Sequence, residues 1–361
     1  MSSFDRCPDC ENGLPLPRRD FLKTAGATSA AVGVAVSAGS LPRVVTAADA
    51  DAAKQAPETH VKKLYDALNE SQRKEICFDW DYVVTSPTRR GGTGLLRSFI
   101  SNNWSITPRA INSDFFTKDQ QELIRAVFEG VYNPEWLPKI EKQLQDDAGG
   151  YGRGQSIAIF GKPGEKFELV MTGRHLTVRC DGNTTEHLAF GGPIFYGHQA
   201  SRVSGLLEKD GHPGNVFWHQ ALAANKVFEM LDGKQRKSAL LTRRPQESSV
   251  GFRGADGKFP GIPIADLSAD QTKEIEKVLD TLLEPYRKTD QVEARACLKA
   301  QGGLAKCSLA FYQEGDLGDD SVWDNWRLEG PSFVWYYRGH PHVHVWVHIA
   351  DDHRVKLNAR G

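Results

Sequence analysis

The sequence predicts an α+β fold: a mostly antiparallel sheet made from two blocks of strands, with an N-terminal helical region and a helical insert. Three observations support this. Between Val61 and Leu144 apolar residues recur at helical spacing. After Gly149-Gly150 the pattern changes to short strand-like segments divided by Gly, Pro and Asp-Gly turns. Strand patterning then returns near Cys307, after a second helical stretch. Strand blocks flanking a helical insert point to one α+β unit.

The first element is an export signal. Pro17-Arg18-Arg19-Asp20-Phe21-Leu22-Lys23 joins two arginines, a Phe-Leu pair and a lysine, the pattern read by the twin-arginine pathway. Residues 24–39 are mainly Ala, Gly, Ser and Val, and this stretch is shorter than the roughly 20 residues that span a bilayer. Val45-Thr46-Ala47 offers small residues for cleavage after Ala47 or Ala48. Residues 1–47 are therefore read as a signal peptide and 48–361 as a single α+β domain. The expected partner during export is the twin-arginine translocase. The expected location is periplasmic or otherwise extracytoplasmic, with no membrane span in the mature form.

Composition narrows the function classes. Residues 1–47 hold 5 Lys/Arg and 4 Asp/Glu, so the remainder carries 40 against 42. This balance argues against nucleic-acid binding, which needs a basic face, and it disfavours anionic ligands. Cys7 and Cys10 form a CxxC that leaves with the signal. Cys77, Cys180, Cys297 and Cys307 stay, and are read as buried free thiols, with Cys297–Cys307 the pair to test for a disulfide.

Along the mature chain, Val61, Leu64, Tyr65 and Leu68 follow helical spacing. Thr117 with Gln120 reads as a capping box ahead of Leu123, Ile124, Val127 and Phe128, and Asn133-Pro134 opens a helix bearing Trp136, Leu137, Ile140 and Leu144. Residues 155–160, 167–172 and 174–180 read as strands, followed by the Gly-rich apolar segment 190–198. Helix returns over 216–231, with Gly233 as its C-terminal cap, and again after Ser268 and Gln271, with Ile275, Val278, Leu279 and Leu282 as its stripe. Residues 243–266 are rich in Gly and Pro and lack periodicity, as functional or mobile loops do. Residues 307–312, 322–328, 333–337 and 342–349 complete the second strand block. No P-loop, dinucleotide fingerprint, G-x-S-x-G elbow or HExxH is present.

The main chemical signal is Gly339-His340-Pro341-His342-Val343-His344-Val345-Trp346-Val347-His348-Ile349, part of a region holding five of the 11 histidines. Alternation along a strand sets His342, His344, Trp346 and His348 on one face and the valines on the other. The valine face is the expected core contact and the histidine face the polar one. Two imidazoles at i and i+2 can share one metal ion, and His175, on the polar side of its own segment, can complete a His₃ set if the two blocks share a sheet. His198 is the next candidate. Arg179, Trp346, His340 and His348 are candidates for the surroundings; His219 reads as a packing residue, His60 and His353 as surface. Three imidazoles with an open position suit copper or zinc. A zinc hydrolase also needs a base, for which Glu329 and Asp324 are available. The run Trp323, Trp326, Phe333, Trp335, Tyr336 and Tyr337 suits cross-strand packing or the surroundings of a copper site, and the tryptophans and tyrosines also offer a surface for a glycan.

Gly173-Arg174-His175-Leu176, the segment from Phe190 to Phe195-Tyr196-Gly197-His198, and Gly330-Pro331 leading into His342-x-His344 resemble an exported bacterial family known as domain of unknown function 3500. The resemblance spans about 71–348. It implies one domain and a role for the histidines, and carries no established activity. That family often has paired histidines where Arg174-His175 stands, and an acidic residue where Tyr336 stands. The resulting expectation is an exported protein of unknown activity, a copper or zinc metalloprotein built on the histidine cluster and, on one reading, a metal-dependent enzyme. The alternative is a non-enzymatic carbohydrate- or cell-wall-binding module that takes a small-molecule or glycan ligand.

Export is directly testable. Replacing Arg18 and Arg19 together by Lys should trap the precursor in the cytoplasm, because the receptor reads the paired guanidinium groups. Export at the normal level by the double variant would refute the signal.

Overall fold

The computed structural model describes residues 56–85, 93–182, 188–199, 216–247, 249–318 and 320–355. The twin-arginine segment, its cleavage site and Cys7–Cys10 lie outside the described residues. Two helices, α1 (Pro57–Ala67) and α2 (Glu70–Ile76), lead into short strands β1 (Cys77–Phe78), β2 (Val83–Val84) and β3 (Gly94–Leu95). Then come α3 (Lys118–Gly130), a 3₁₀ turn at Pro134–Trp136 and α4 (Leu137–Ala148). The first strand block is β4 (Ser156–Gly161), β5 (Phe167–Gly173), β6 (Leu176–Cys180) and β7 (Ile194–His198). The insert contributes α5 (Trp218–Glu229), α6 (Gly233–Ala239), β8 (Leu240–Leu241), β9 (Ile262–Pro263), α7 (Ala269–Leu283) and α8 (Lys288–Ala300). The second block is β10 (Ser308–Tyr312), β11 (Asn325–Gly330), β12 (Phe333–Arg338) and β13 (Val343–Ile349).

Local chemistry explains several boundaries. Thr117 and Ser268 accept from the backbone N–H of Gln120 and Gln271, whose side chains reach back, so both expected capping boxes form. Gly233 does not end a helix as expected. Asp232 accepts from the N–H groups of Lys234 and Gln235, and a carboxylate that caps two orphan donors makes this position a helix start.

The two strand blocks form one eleven-stranded sheet in the order β1-β4-β5-β6-β7-β13-β12-β11-β10-β8, with β9 on β10. Only the terminal pairs β1/β4 and β8/β10 are parallel. The blocks join where β7 runs antiparallel to β13, with Val343 opposite His198, His344 opposite Gly197 and Val345 opposite Tyr196.

Both faces of this sheet are covered. Val345, Tyr196, Leu176, Tyr337 and Trp326 lie in one cross-strand row on the helix side, in the main core with α1, α3, α4, α5, α7 and α8. On the other side, segment 93–110 packs Leu96, Phe99, Trp104 and Ile106 on Ala158, Phe160 and Val170. Further along that side, segment 243–266 forms a strap. Ser249 O accepts from Arg327 at 2.6 Å, Pro245 O accepts from the Tyr336 hydroxyl at 3.0 Å, and Gly254 N–H donates to Pro331 O at 3.0 Å.

Two expectations change as a result. The histidine face of β13 is interior: His344 is 4% exposed and His348 is 0%. Period-2 alternation identifies two faces, but a sheet covered on both sides buries both. Trp335 and Trp346 are also 0% exposed, as are Trp326, Phe333, Tyr336 and Tyr337, so these six rings pack the interior, while Trp323 is half-buried. All four described cysteines are free thiols, three of them buried.

The continuous sheet and shared core lead us to expect one protease-resistant unit. Trypsin should cut the strap first near Lys258, in its exposed stretch 255–258, and leave the rest intact. Release of two independently folded fragments would contradict this.

Candidate metal centre

His175 occupies a two-residue turn between β5 and β6, not the strand itself, and has φ 54°. Left-handed backbone is uncommon for a residue with a side chain, and its N–H is held by Asn102 O at 2.8 Å. One step beyond the Leu176–Tyr196 pair, His175 lies beside Gly197, which pairs on its other side with His344. The glycine leaves the space in which the two imidazoles meet. A Cβ there would press on Val343 O and sit 3.3 Å from His175 Cγ. His342 is in the hairpin loop just before β13 and is the most exposed of the three.

The three Nε2 atoms converge. His344 Nε2 is 2.9 Å from His342 Nε2 and 3.1 Å from His175 Nε2. The opposite ring nitrogens of two of them face carboxylates: His175 Nδ1 is 3.0 Å from Asp147 Oδ2, and His344 Nδ1 is 2.7 Å from Glu247 Oε2. A carboxylate accepts, so the Glu247 bond places the His344 proton on Nδ1 and leaves its Nε2 with a bare lone pair; the Asp147 carboxylate beside His175 Nδ1 favours the same tautomer there. The carboxylates are themselves held. Gln143 Nε2 and Gln199 N–H donate to Asp147 at 3.0 Å. Arg338 Nη1 donates to Glu247 Oε1 at 2.5 Å and Trp346 Nε1 to Oε2 at 3.3 Å. Among the described residues, the triad is the group of three or more His, Cys, Asp or Glu side chains close enough to share a metal, with ligand atoms within 4.8 Å of one another.

Electrostatics keep the triad neutral. Burial pushes His344 well below the ordinary imidazole range, and the charges of Arg338 and Arg174 add to it. Burial with neighbouring His344 and His175 takes His342 down to about 2. Burial also lowers His175, outweighing the pull of Asp147. Burial works against ionisation of Asp147, but His175 and the Gln143 hydrogen bond hold its carboxyl below the usual range. Neutral imidazole is the form that binds a metal.

The other sequence candidates lie elsewhere. His198 points with Tyr196 to the helix side and contacts Asp146 Oδ2 at 2.9 Å, away from the triad. His340 is in the β12–β13 loop. His348 stacks on Phe252 at 3.8 Å with both nitrogens unpartnered. Arg179 pairs with Glu168 at 2.5 Å and donates to Pro193 O and Phe99 O, so it pins segment 93–110 to the sheet. Glu329 pairs with Arg327 and Arg253 at 2.7 Å. Asp324 accepts from Leu317 N–H, and burial pushes its carboxyl up to about 7. His219 packs on Trp136.

Sequence reasoning missed Asp147, Glu247, Gly197 and Arg338. One signal was available for Asp147: Asp146-Asp147 sit in the last turn of α4, where the helix dipole disfavours negative charge. For Glu247 the signal was the aperiodic 243–266 segment.

The chain belongs to the family described as Protein of unknown function (DUF3500), whose profile matches residues 51–354. The TAT (twin-arginine translocation) pathway signal sequence matches residues 15–35, so the protein is exported across the membrane. No helix among the described residues is long and apolar enough to cross a membrane. No curated protein and no solved structure matches the chain.

Gly197→Ala tests the geometry. The added methyl forces β7 from β13 or His175 from His344, so stability should fall by about 1–3 kcal/mol, as overpacking does. Urea unfolding unchanged within about 0.5 kcal/mol would show that the close approach at Gly197 is not needed.

Proposed function

We propose that this exported protein is a metalloprotein in which His175, His342 and His344 bind one copper or zinc ion through Nε2. One observation carries the reading: two buried imidazoles bring their Nε2 atoms to 3.1 Å, while the opposite nitrogen of His344 is bonded to Glu247 and that of His175 lies 3.0 Å from Asp147. Two acceptors at that distance repel unless a cation lies between them. A shared proton is disfavoured by burial and by the surrounding arginines, which leaves a metal ion as the natural occupant. The carboxylate–histidine pairs supply the outer anchoring that metal-ligating imidazoles usually have. Three protein ligands leave a coordination position for water or a substrate, as catalytic zinc sites do and closed structural ones do not. Bound there, such an ion would supply Lewis acidity or, if copper, electron transfer. The chain's own part is to hold three neutral rings at fixed angles. Imidazole-only sites bind copper more tightly than zinc, so copper is the first choice.

Elemental analysis of protein purified without chelators or metal affinity should find about one ion per chain. His342→Ala is the cleanest variant because His342 is partly exposed and should lose most of the metal at little cost to the fold. His344→Ala should also lose it, but takes one of three donors from the half-buried Glu247 carboxylate and opens a cavity in the sheet, and should cost about 1–3 kcal/mol. His175→Ala should behave similarly through Asp147. Substoichiometric metal in the parent, or full occupancy in the His342→Ala/His344→Ala double variant, would refute the reading.

A further inference from the structure

Three arginines gather around the triad. Arg174 precedes His175 in the β5–β6 turn, Arg338 of β12 pairs in register with His344, and Arg244 comes from the strap. Arg174 faces Asp147 at 3.9 Å and Arg338 pairs with Glu247 at 2.5 Å, while the Glu314 carboxylate accepts from the backbone N–H of Arg244 at 3.3 Å and not from its guanidinium. A divalent ion on neutral histidines would add further positive charge.

The arginines differ in what they hold. Arg174 donates to Gln199, and Arg338 to Glu247 and to His342 O. Among the described residues the Arg244 guanidinium has neither a carboxylate nor a hydrogen-bond acceptor, although its Nη1 is buried. Arg338, 7% exposed, also has an unspent N–H at Nε.

Their placement is set by the sheet. A Cβ at Gly315 would lie 3.5 Å from Arg244 Nε and 3.3 Å from Asn325 Nδ2, so Arg244 lies beside Asn325. Asn325 pairs in register with Arg338, and Arg338 with His344. This row of three strands covers roughly 10 Å at ordinary strand spacing, the length of a small molecule. A buried guanidinium N–H without an acceptor is costly, and the groups that satisfy its planar fork best are carboxylates and phosphates.

We propose that the histidine site serves a small anionic substrate, whose carboxylate or phosphate group docks on Arg244 and the Arg338 Nε while its other end reaches the triad. This reading rests on the metal assignment above. It reverses the expectation from net charge, because a balanced total conceals guanidinium groups left without an acceptor.

The test uses the metalloprotein as purified, titrated calorimetrically with sodium acetate, inorganic phosphate and, as a neutral control, acetamide. Wild type should bind at least one anion and not acetamide; the preferred anion separates a carboxylate from a phosphate ligand. Arg244→Gln should weaken that binding by about tenfold or more, the usual scale for a charge-assisted hydrogen bond. Arg244→Lys, which keeps the charge but not the fork, should fall between the two. Metal content and melting temperature, read on the same samples, should stay at the wild-type level in both variants. Equal anion affinity in wild type and Arg244→Gln at full metal content would overturn the anionic substrate and leave the metal site standing. The anionic substrate is overturned in the same way if neither anion binds wild type or if acetamide binds equally well. Metal-free wild type would overturn both.

Discussion

The candidate site depends on one contact, the antiparallel pairing of β7 with β13. These strands come from blocks separated by the whole helical insert, and without their five paired positions the molecule would hold two sheets. Closing so long a loop is less costly than it looks, since each doubling of length adds only about 0.6 kcal/mol. The return is a central strand pair buried on both sides, in which Phe195 and Trp346 pack at 4.2 Å on one face while Tyr196 and Val345 enter the core on the other. The same register sets His175, Gly197 and His344 side by side. The fold is joined and the triad is assembled at the same seam.

Once both faces are covered, the polar residues on the strap side cannot turn to water, and their chemistry must be resolved locally. Glu247 does much of this: one carboxylate accepts from His344, Arg338 and Trp346, so a single strap residue neutralises a buried arginine and fixes an imidazole. Asp147 plays the matching part for His175 from the end of α4. An apolar layer would be at least as stable, because desolvating charges commonly costs as much as their pairing returns. A largely buried layer of histidine, arginine and carboxylate is therefore better explained by a ligand than by stability, as local departures from good packing rules often are.

Much of the scaffold was legible in the sequence because it rests on short-range rules. The capping boxes at Thr117 and Ser268, the stripe of α3 and the alternation of β13 each involve residues within a turn or two of one another. The pairing of His175 with His344 was legible only conditionally, through the assumption that both strand blocks share a sheet. What stayed hidden was which element covers which face. Alternation separates valines from histidines and cannot say that a strap lies over the histidines, so the aromatic run read as a possible surface. Glu247 and Asp147 escaped for the same reason: each acts through a contact distant in sequence, where no local pattern marks it. Gly233 was misread on local grounds, since a glycine after a helix resembles a cap until the preceding aspartate is weighed.

Export in the folded state bears on which metal the protein would carry. His175 comes from a hairpin turn, His342 from another and His344 from β13, and their anchors from a helix end and the strap, so the donor set exists only once all of these have assembled. Binding would then add its free energy to the folded state alone. Twin-arginine translocation moves folded cargo, so on the metal reading the ion is acquired where the chain folds, before it crosses the membrane. Intrinsic affinity of three imidazoles favours copper, but a site closed in the cytoplasm selects from the ions available there. Folding before export therefore passes part of the metal's selection from the donor set to the compartment, and a buried triad with anchored rings would keep that choice after translocation.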